Sequence, residues 1–396
     1  MTSLQLYLAI RMSLENFPSF WIPPHLKVEI EEILTSPEGE LDMTLQLLRL
    51  ASHSRKLGQF DLERGEYPIM GVTLVCGKLF YRPNDKLVVW GVDEFKAGNG
   101  FVIKQRLIVG NHVCLIESCV EDQRERVTWF GEKVSVGALY PACSISNVGV
   151  AGGEVFYQVG FNFEEQPADS RFRDKVPDGV DPDRLFWMSF LVWGEMEGET
   201  FRRIKHKVFE VAGKPVYVAA PLSMKGEVFV WGADRREAYR FGKPHLYSGG
   251  VLLMRRQAED SDDELMVVDA AGEHILKRGR LRGLALVSGQ IFLKEWMKDE
   301  EGNFVRLHRG LEGYVDFRSV EHLHTDFRTE QDLVVFSGID MDGKPGVWVN
   351  YVKISDMGIA AHSRITFSNA DNVLSTQLAG NAHRTEFDLV ELGIVS

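Results

Sequence analysis

The sequence predicts a mainly-β chain with a short helical segment at its N-terminus. Three observations carry that expectation. Apolar residues recur at helical spacing only before about residue 60. Beyond it, short runs rich in Val, Phe, Tyr and Trp alternate with clusters of Gly, Asp and Asn, the mark of many short strands closed by tight turns. Those runs also recur as a two-strand unit along the rest of the chain, and a fixed period is the signature of stacked supersecondary modules.

The helical segment comes first. Apolar residues recur at helical spacing in three stretches: Leu4, Tyr7, Leu8 and Met12; then Leu26, Ile30, Ile33 and Leu34; then Leu41, Leu45, Leu48 and Leu50. Pro23 and Pro24 part the first helix from the second, and Ser36 and Pro37 part the second from the third, because proline breaks the helical ladder. Ser3 and Asp42 are suited to cap helix starts. Residues 1–60 are too few for an independent core, since domains of that size are marginal without staples. Their stripes are expected to dock on residues 61–396 or, the reading preferred here, on a protein partner or a second copy of the chain.

In the β body, a turn precedes an apolar strand at Gly77–Tyr81, Gly110–Leu115, Gly153–Tyr157, Gly213–Tyr217, Gly249–Leu253, Gly289–Leu293 and Gln331–Val335. A second strand follows each: Leu87–Gly91, Val127–Gly131, Phe190–Gly194, Val228–Gly232, Leu265–Asp269, Phe304–His308 and Gly346–Asn350. The first strands start 33 to 60 residues apart, about 42 on average, which is the length of a four-stranded blade. The longest step contains a polar stretch at 163–183, rich in Pro and Asp. It is expected to be an exposed inserted loop, because it offers little for a core.

Over about residues 64–392 the chain therefore resembles the β-propeller superfold, with about seven four-stranded blades. In such a fold each blade leaves an apolar face that its neighbours cover, and only short edges remain. It departs from the named families. WD40 repeats carry Gly-His and Trp-Asp dipeptides and kelch repeats begin with a double glycine; the recurring dipeptide here is Trp-Gly. The alignment places Trp90, Trp193 and Trp231 at equivalent strand ends, where each is expected to be buried between blades.

Composition narrows the partners. A net charge of −12 argues against nucleic acid as the main partner, because that affinity comes from neutralising phosphates. No apolar stretch is long enough to span a bilayer, and Met1–Ile10 lacks the basic start and cleavage site of a signal peptide. The four cysteines, Cys76, Cys114, Cys119 and Cys143, sit in or beside apolar runs without any Cys-x-x-Cys pair. Buried free thiols, a reducing compartment and a cytoplasmic location are expected.

Candidate chemistry is sparse. His322 and His324 alternate in a way that would share one strand face, with His362 and Asp326 as possible companions in a metal or acid–base site; solvated side chains are the simpler expectation. Asp340 and Asp342 precede Gly343 as in a calcium loop, but no acidic residue closes it, and a hairpin turn suffices. The acidic runs 259–264 and 298–301 fall where hairpin tips belong. Two basic runs, Arg202, Arg203, Lys205 and Lys207, then Lys277, Arg278, Arg280 and Arg282, are the candidate binding residues, suited to steering an acidic peptide or phosphate. The chain has no P-loop, no Gly-x-Ser-x-Gly elbow and no His-Glu-x-x-His; no metal or other cofactor is expected. The reading is a non-catalytic interaction protein that binds through its loop faces and N-terminal helices. The alternative is a carbohydrate-active hydrolase or lyase with a central carboxylate pair and with Trp187, Trp296 or Trp348 stacking on sugar.

Overall fold

Burial along the strands explains how they stack. A strand solvated on one face alternates buried and exposed residues. β10 (Glu154–Asn162) instead buries every residue from Val155 to Phe161, and so presents both faces to other elements. The fourth strand of a sheet is the opposite case: four of the five residues of β16 (Asp234–Ala238) are exposed. Each sheet thus grades from a middle buried on both faces to a wet edge.

The computed structural model describes residues 24–36, 38–39, 41–50, 72–122, 124–166, 172, 186–222, 226–257, 262–287, 289–324, 334–355, 362–368, 373–378, 384–388 and 390–391. Sheet 1 joins β1 (Thr73–Val75), β2 (Lys78–Asn84), β3 (Leu87–Trp90) and β4 (Asp93–Lys96). Sheet 2 joins β5 (Phe101–Val109), β6 (His112–Cys119), β7 (Glu125–Phe130) and β8 (Val134–Val136). Sheet 3 joins β9 (Cys143–Ala151), β10, β11 (Trp187–Trp193) and β12 (Met196–Glu197). Sheet 4 joins β13 (Arg203–Val211), β14 (Lys214–Ala220), β15 (Glu227–Trp231) and β16. All are antiparallel meanders in chain order. A five-stranded sheet follows over residues 240–279, then a seven-stranded one over 281–355 and a three-stranded one over 362–388.

In the seven-stranded sheet the strand Gly313–His324 serves two meanders. Its first half pairs with Gly302–Arg309 and its second half with Val335–Asp340, so two four-stranded units share one strand. The chain is mainly β, with several four-stranded antiparallel meanders, consistent with a propeller-like fold.

The chain divides into two compact units, Met1–Ile204 with Pro221–Ser223, and Lys205–Ala220 with Met224–Ser396. The first holds sheets 1 to 3 and two helices, α1 (Pro24–Ile33) and α2 (residues 41–50). Leu26 and Ile30 of α1 and Met43, Leu47 and Leu50 of α2 pack with Leu79, Tyr81 and Val89 of sheet 1. Gln46 adds a polar lock: its Oε1 accepts the Leu79 amide at 2.6 Å and its Nε2 donates to the Gly77 carbonyl. The described helices therefore bury one face on the first sheet, while Leu41, Leu45 and Leu48 on α2 remain exposed. The first helical stripe, Leu4 to Met12, lies outside the described residues.

The inserted stretch is not wholly external, contrary to the expectation. Phe163, Gln166 and Phe172 are buried, and Phe172 stacks on Phe161 at 4.4 Å between ring centroids. An aromatic ring within a polar run is enough to tie that run to the core. The other residues from 167 to 183 lie outside the described set.

Within the second unit, Val211, Val218, Phe229, Phe241, Leu253 and Val268 form one apolar cluster between sheet 4 and the five-stranded sheet. Phe317, Phe336 and Trp348 anchor another in the seven-stranded sheet, with Phe336 stacked on Trp348 at 5.5 Å. Trp348 is therefore core, which removes it from the sugar-stacking set.

Candidate functional site: a cavity between sheets 2 and 3

The turns of the repeat build the site. Trp90, Trp193 and Trp231 each end the third strand of their sheet and precede a glycine with φ of 64°, 59° and 62° respectively. That left-handed backbone suits glycine, which pays no Cβ penalty there. Each glycine amide then donates to the second strand: Gly91 to Leu79 at 2.8 Å, Gly194 to Val155 at 2.8 Å and Gly232 to Pro215 at 2.9 Å. The recurring Trp-Gly dipeptide is thus one closing turn used three times. Burial is less uniform than expected: Trp90 is buried, whereas Trp193 and Trp231 are half-buried and donate from Nε1 to the Ala151 and Val211 carbonyls.

Sheet 2 completes the series with a longer turn. Trp129 lies opposite Cys114, as Trp90 lies opposite Phe80 and Trp193 opposite Phe156. Phe130 and Gly131 then extend the strand end before β8. Gly131 sits against the His112 imidazole, where a Cβ would come within 2.7 Å of two ring atoms.

At the turn end of sheets 2 and 3 these residues enclose a cavity of about 1320 Å³. Trp129, Trp193, Tyr140 and Tyr157 supply its aromatic surface, and Glu132, Glu154, Glu195 and Glu197 its carboxylates. Lys133 is the one lysine or arginine among the lining residues. Tyr140 is fully buried, and its hydroxyl donates to Glu197 Oε1 at 3.0 Å. Burial first, and then the neighbouring Tyr157 and Glu197, hold the Tyr140 phenol well above its ordinary range, so it stays a donor. At the rim, Asn111 Nδ2 donates to Cys76 Sγ at 3.3 Å, and Cys76 holds φ of 47° in its turn. Cys76 and Cys143 are half-buried and Cys114 and Cys119 buried, so two of the four thiols are less enclosed than expected; all four are free.

The basic runs lie elsewhere. Lys205 pairs with Glu227, Lys277 with Glu295 at 3.2 Å, Arg278 with Glu264 at 3.2 Å and Arg282 with Asp263 at 2.8 Å. These carboxylates are mostly buried, so four of the eight candidate residues act as internal counter-charges. Arg203, Lys207 and Arg280 are exposed and Arg202 is half-buried. Asp340 closes a hairpin, its Oδ1 accepting the Lys344 amide at 2.8 Å while Lys353 approaches its other oxygen. Asp326 and the side chains of His322, His324 and His362 lie outside the described set. Among the described residues no group of three or more His, Cys, Asp or Glu converges as a metal site would, and no helix is long and apolar enough to cross a membrane. Trp187 and Trp296 are exposed, and neither lines the cavity.

No protein-family model matches the chain, and no curated protein matches it. Solved structures to which the chain is similar at a low level include the following. One comes from a structural and mechanistic analysis of two prolyl endopeptidases; it is 10% identical with a TM-score of 0.28, over 87% of this chain and 60% of that one. An oligogalacturonate lyase in complex with manganese is 11% identical with a TM-score of 0.25, over 72% and 77% of the two chains. The tricorn protease is 9% identical with a TM-score of 0.18, over 81% and 43%. This chain thus spans less than two thirds of the length of the first. All three are enzymes; likeness of this size transfers neither a reaction nor a residue.

The sequence did not point to the cavity. Its lining comes from separate turns spread over residues 76–197. The one available signal was a change within the repeat: the residue opening the second strand is Lys78 in sheet 1 and Lys214 in sheet 4, but His112 in sheet 2 and Glu154 in sheet 3.

Proposed function

We propose that the chain is an interaction protein of the β-propeller type, with about seven blades, and that the cavity of its first unit holds the ligand. One observation carries the reading: aromatic rings and four carboxylates against a single lysine line a concave surface large enough for a side chain or a small ligand. The charge favours a basic group, the reverse of the acidic partner expected from the basic runs. The exposed Leu41, Leu45 and Leu48 of α2 support a second contact through the helices, and the four free thiols support a reducing, cytoplasmic setting.

The alternative is a carbohydrate-active hydrolase or lyase. Two tryptophans beside several carboxylates favour it, since sugars stack on indole faces and their cleavage uses paired acids.

Titration of the intact protein, followed through the indole Nε1–H signals of Trp129 and Trp193, tests both. Shifts on adding basic peptides, with no release of reducing ends from an oligosaccharide panel, support the interaction reading. Turnover of an oligosaccharide, lost in Glu154→Gln or Glu197→Gln, establishes the enzyme instead. Silence of both signals with every ligand rejects the cavity as the site.

A further inference from the structure

The repeat contains a template for what the cavity binds. In sheet 1 the Lys78 ammonium lies over the Trp90 ring, 4.1 Å from its centroid. In sheet 4 the Lys214 ammonium lies over Trp231 at 5.4 Å. Each lysine opens its second strand, two residues before the partner of its tryptophan, Phe80 and Val216 respectively. Each also runs its stem over the turn glycine: a Cβ at Gly91 or Gly232 would meet Lys78 Cδ at 3.4 Å or Lys214 Cδ at 2.8 Å. The face of an indole attracts a cation through the ring quadrupole, and in these two sheets the protein supplies the cation itself.

Sheets 2 and 3 repeat the geometry without the lysine. Trp129 and Trp193 hold the same register, opposite Cys114 and Phe156, and the residues two positions before those partners are His112 and Glu154. Glu154 lies over its turn glycine as the lysines do, with Oε2 3.3 Å from where a Gly194 Cβ would be. A carboxylate therefore stands where sheets 1 and 4 have the stem of an ammonium. Among the described residues no Lys or Arg lies over Trp129 or Trp193. Both rings line the cavity together with Glu132, Glu154, Glu195 and Glu197.

We infer that this cavity binds an ammonium group, carried on a lysine side chain of a protein partner, against the indole faces of Trp129 and Trp193 with Glu154 as counter-charge. The inference rests on the cavity being the ligand site and adds what it selects. The register supplies the ring, Glu154 at the strand opening of sheet 3 supplies the charge, and of sheets 1 to 4 the two that depart from the lysine pattern are sheets 2 and 3, which flank the cavity.

The test uses the full chain and a short Gly/Ser peptide carrying one lysine. Its Nε-acetyl-lysine form removes the charge at nearly constant shape, and n-butylamine supplies the ammonium without a peptide. Expected are calorimetric binding of the lysine peptide and indole shifts at Trp129 and Trp193, with acetylation weakening affinity by about tenfold or more. Glu154→Lys should rebuild the pattern of sheets 1 and 4, abolish peptide binding and leave the melting temperature unchanged or higher. Glu154→Gln, which introduces no new cation, should weaken binding without altering stability. Equal binding of the acetylated peptide, or a normal affinity in both Glu154 variants, overturns the inference while leaving the cavity as a ligand site. Butylamine binding as tightly as the peptide overturns a partner protein as the source. Binding of no probe, charged or neutral, rejects the cavity reading as well.

Discussion

Glu125 Oε2 accepts the backbone amide of Ile145 at 2.8 Å, so the third strand of sheet 2 satisfies a donor on the first strand of sheet 3. The other oxygen of the same carboxylate takes the Lys104 ammonium at 2.6 Å. The device recurs: Ser189 Oγ accepts the Ile204 amide at 2.8 Å, and Glu227 accepts the Phe241 amide at 2.7 Å while pairing with Lys205. Sheet 1 does the same with backbone alone, the Asp85 carbonyl accepting the Ile103 amide at 2.8 Å. A buried amide left without an acceptor is costly, and these residues prevent that.

Removing the acceptor should therefore destabilise the fold out of proportion to the atoms lost. Glu125→Ala is expected to cost about 1–3 kcal/mol, the penalty of an unsatisfied buried donor, and Glu125→Gln, which keeps an acceptor oxygen, distinctly less. Urea unfolding reads both. An alanine variant as stable as the parent would mean that water replaces the carboxylate.

The inserted stretch is predicted to be structural at Phe172. That ring is fully buried and stacked on Phe161, so Phe172→Ala should cost about 3–5 kcal/mol, as large core truncations do. Replacing residues 163–183 with a short Gly-Ser linker should lower the melting temperature sharply. An unchanged melting temperature would show that the core closes without the ring.

The tryptophans should rank by burial. Trp90, 3% exposed, loses most on truncation, about 3–5 kcal/mol. Trp193→Ala and Trp231→Ala remove half-buried rings and should each cost less, roughly in proportion to the area covered. Equal losses in chemical denaturation would show that the turn bond, rather than ring burial, governs all three positions.

The first unit should weaken in alkali. Burial pushes the Cys114 and Cys143 thiols up to about 12, because desolvation penalises the thiolate. Burial likewise raises the phenols of Tyr81 and Tyr140. The folded chain thus holds these protons more tightly than the unfolded chain, whose thiols ionise near pH ~8.5. The stabilisation is complete below that pH and is lost progressively as pH rises toward 12. Urea midpoints should fall between pH 8 and pH 11, and the fall should be smaller in a Cys114→Ala, Cys143→Ala double variant than in the parent. A flat profile in the parent would mean that the thiols are hydrated.

By itself the sequence determined the strand content, the repeat and the Trp-Gly turn, because these rest on neighbours in the chain: apolar runs between turn residues mark the strands, and a left-handed turn asks for glycine whatever surrounds it. It also marked the N-terminal stripes, of which Leu26 and Ile30 do meet sheet 1. Tertiary structure decided the rest. Only packing showed that Phe172, isolated in a polar run, reaches the core, and that Lys277, Arg278 and Arg282 pair with buried carboxylates. The cavity was hidden for the same reason. Trp129 and Glu197 lie far apart along the chain and come together only when sheets 2 and 3 stack, and burial and counter-charge are properties of that stacking rather than of the local sequence.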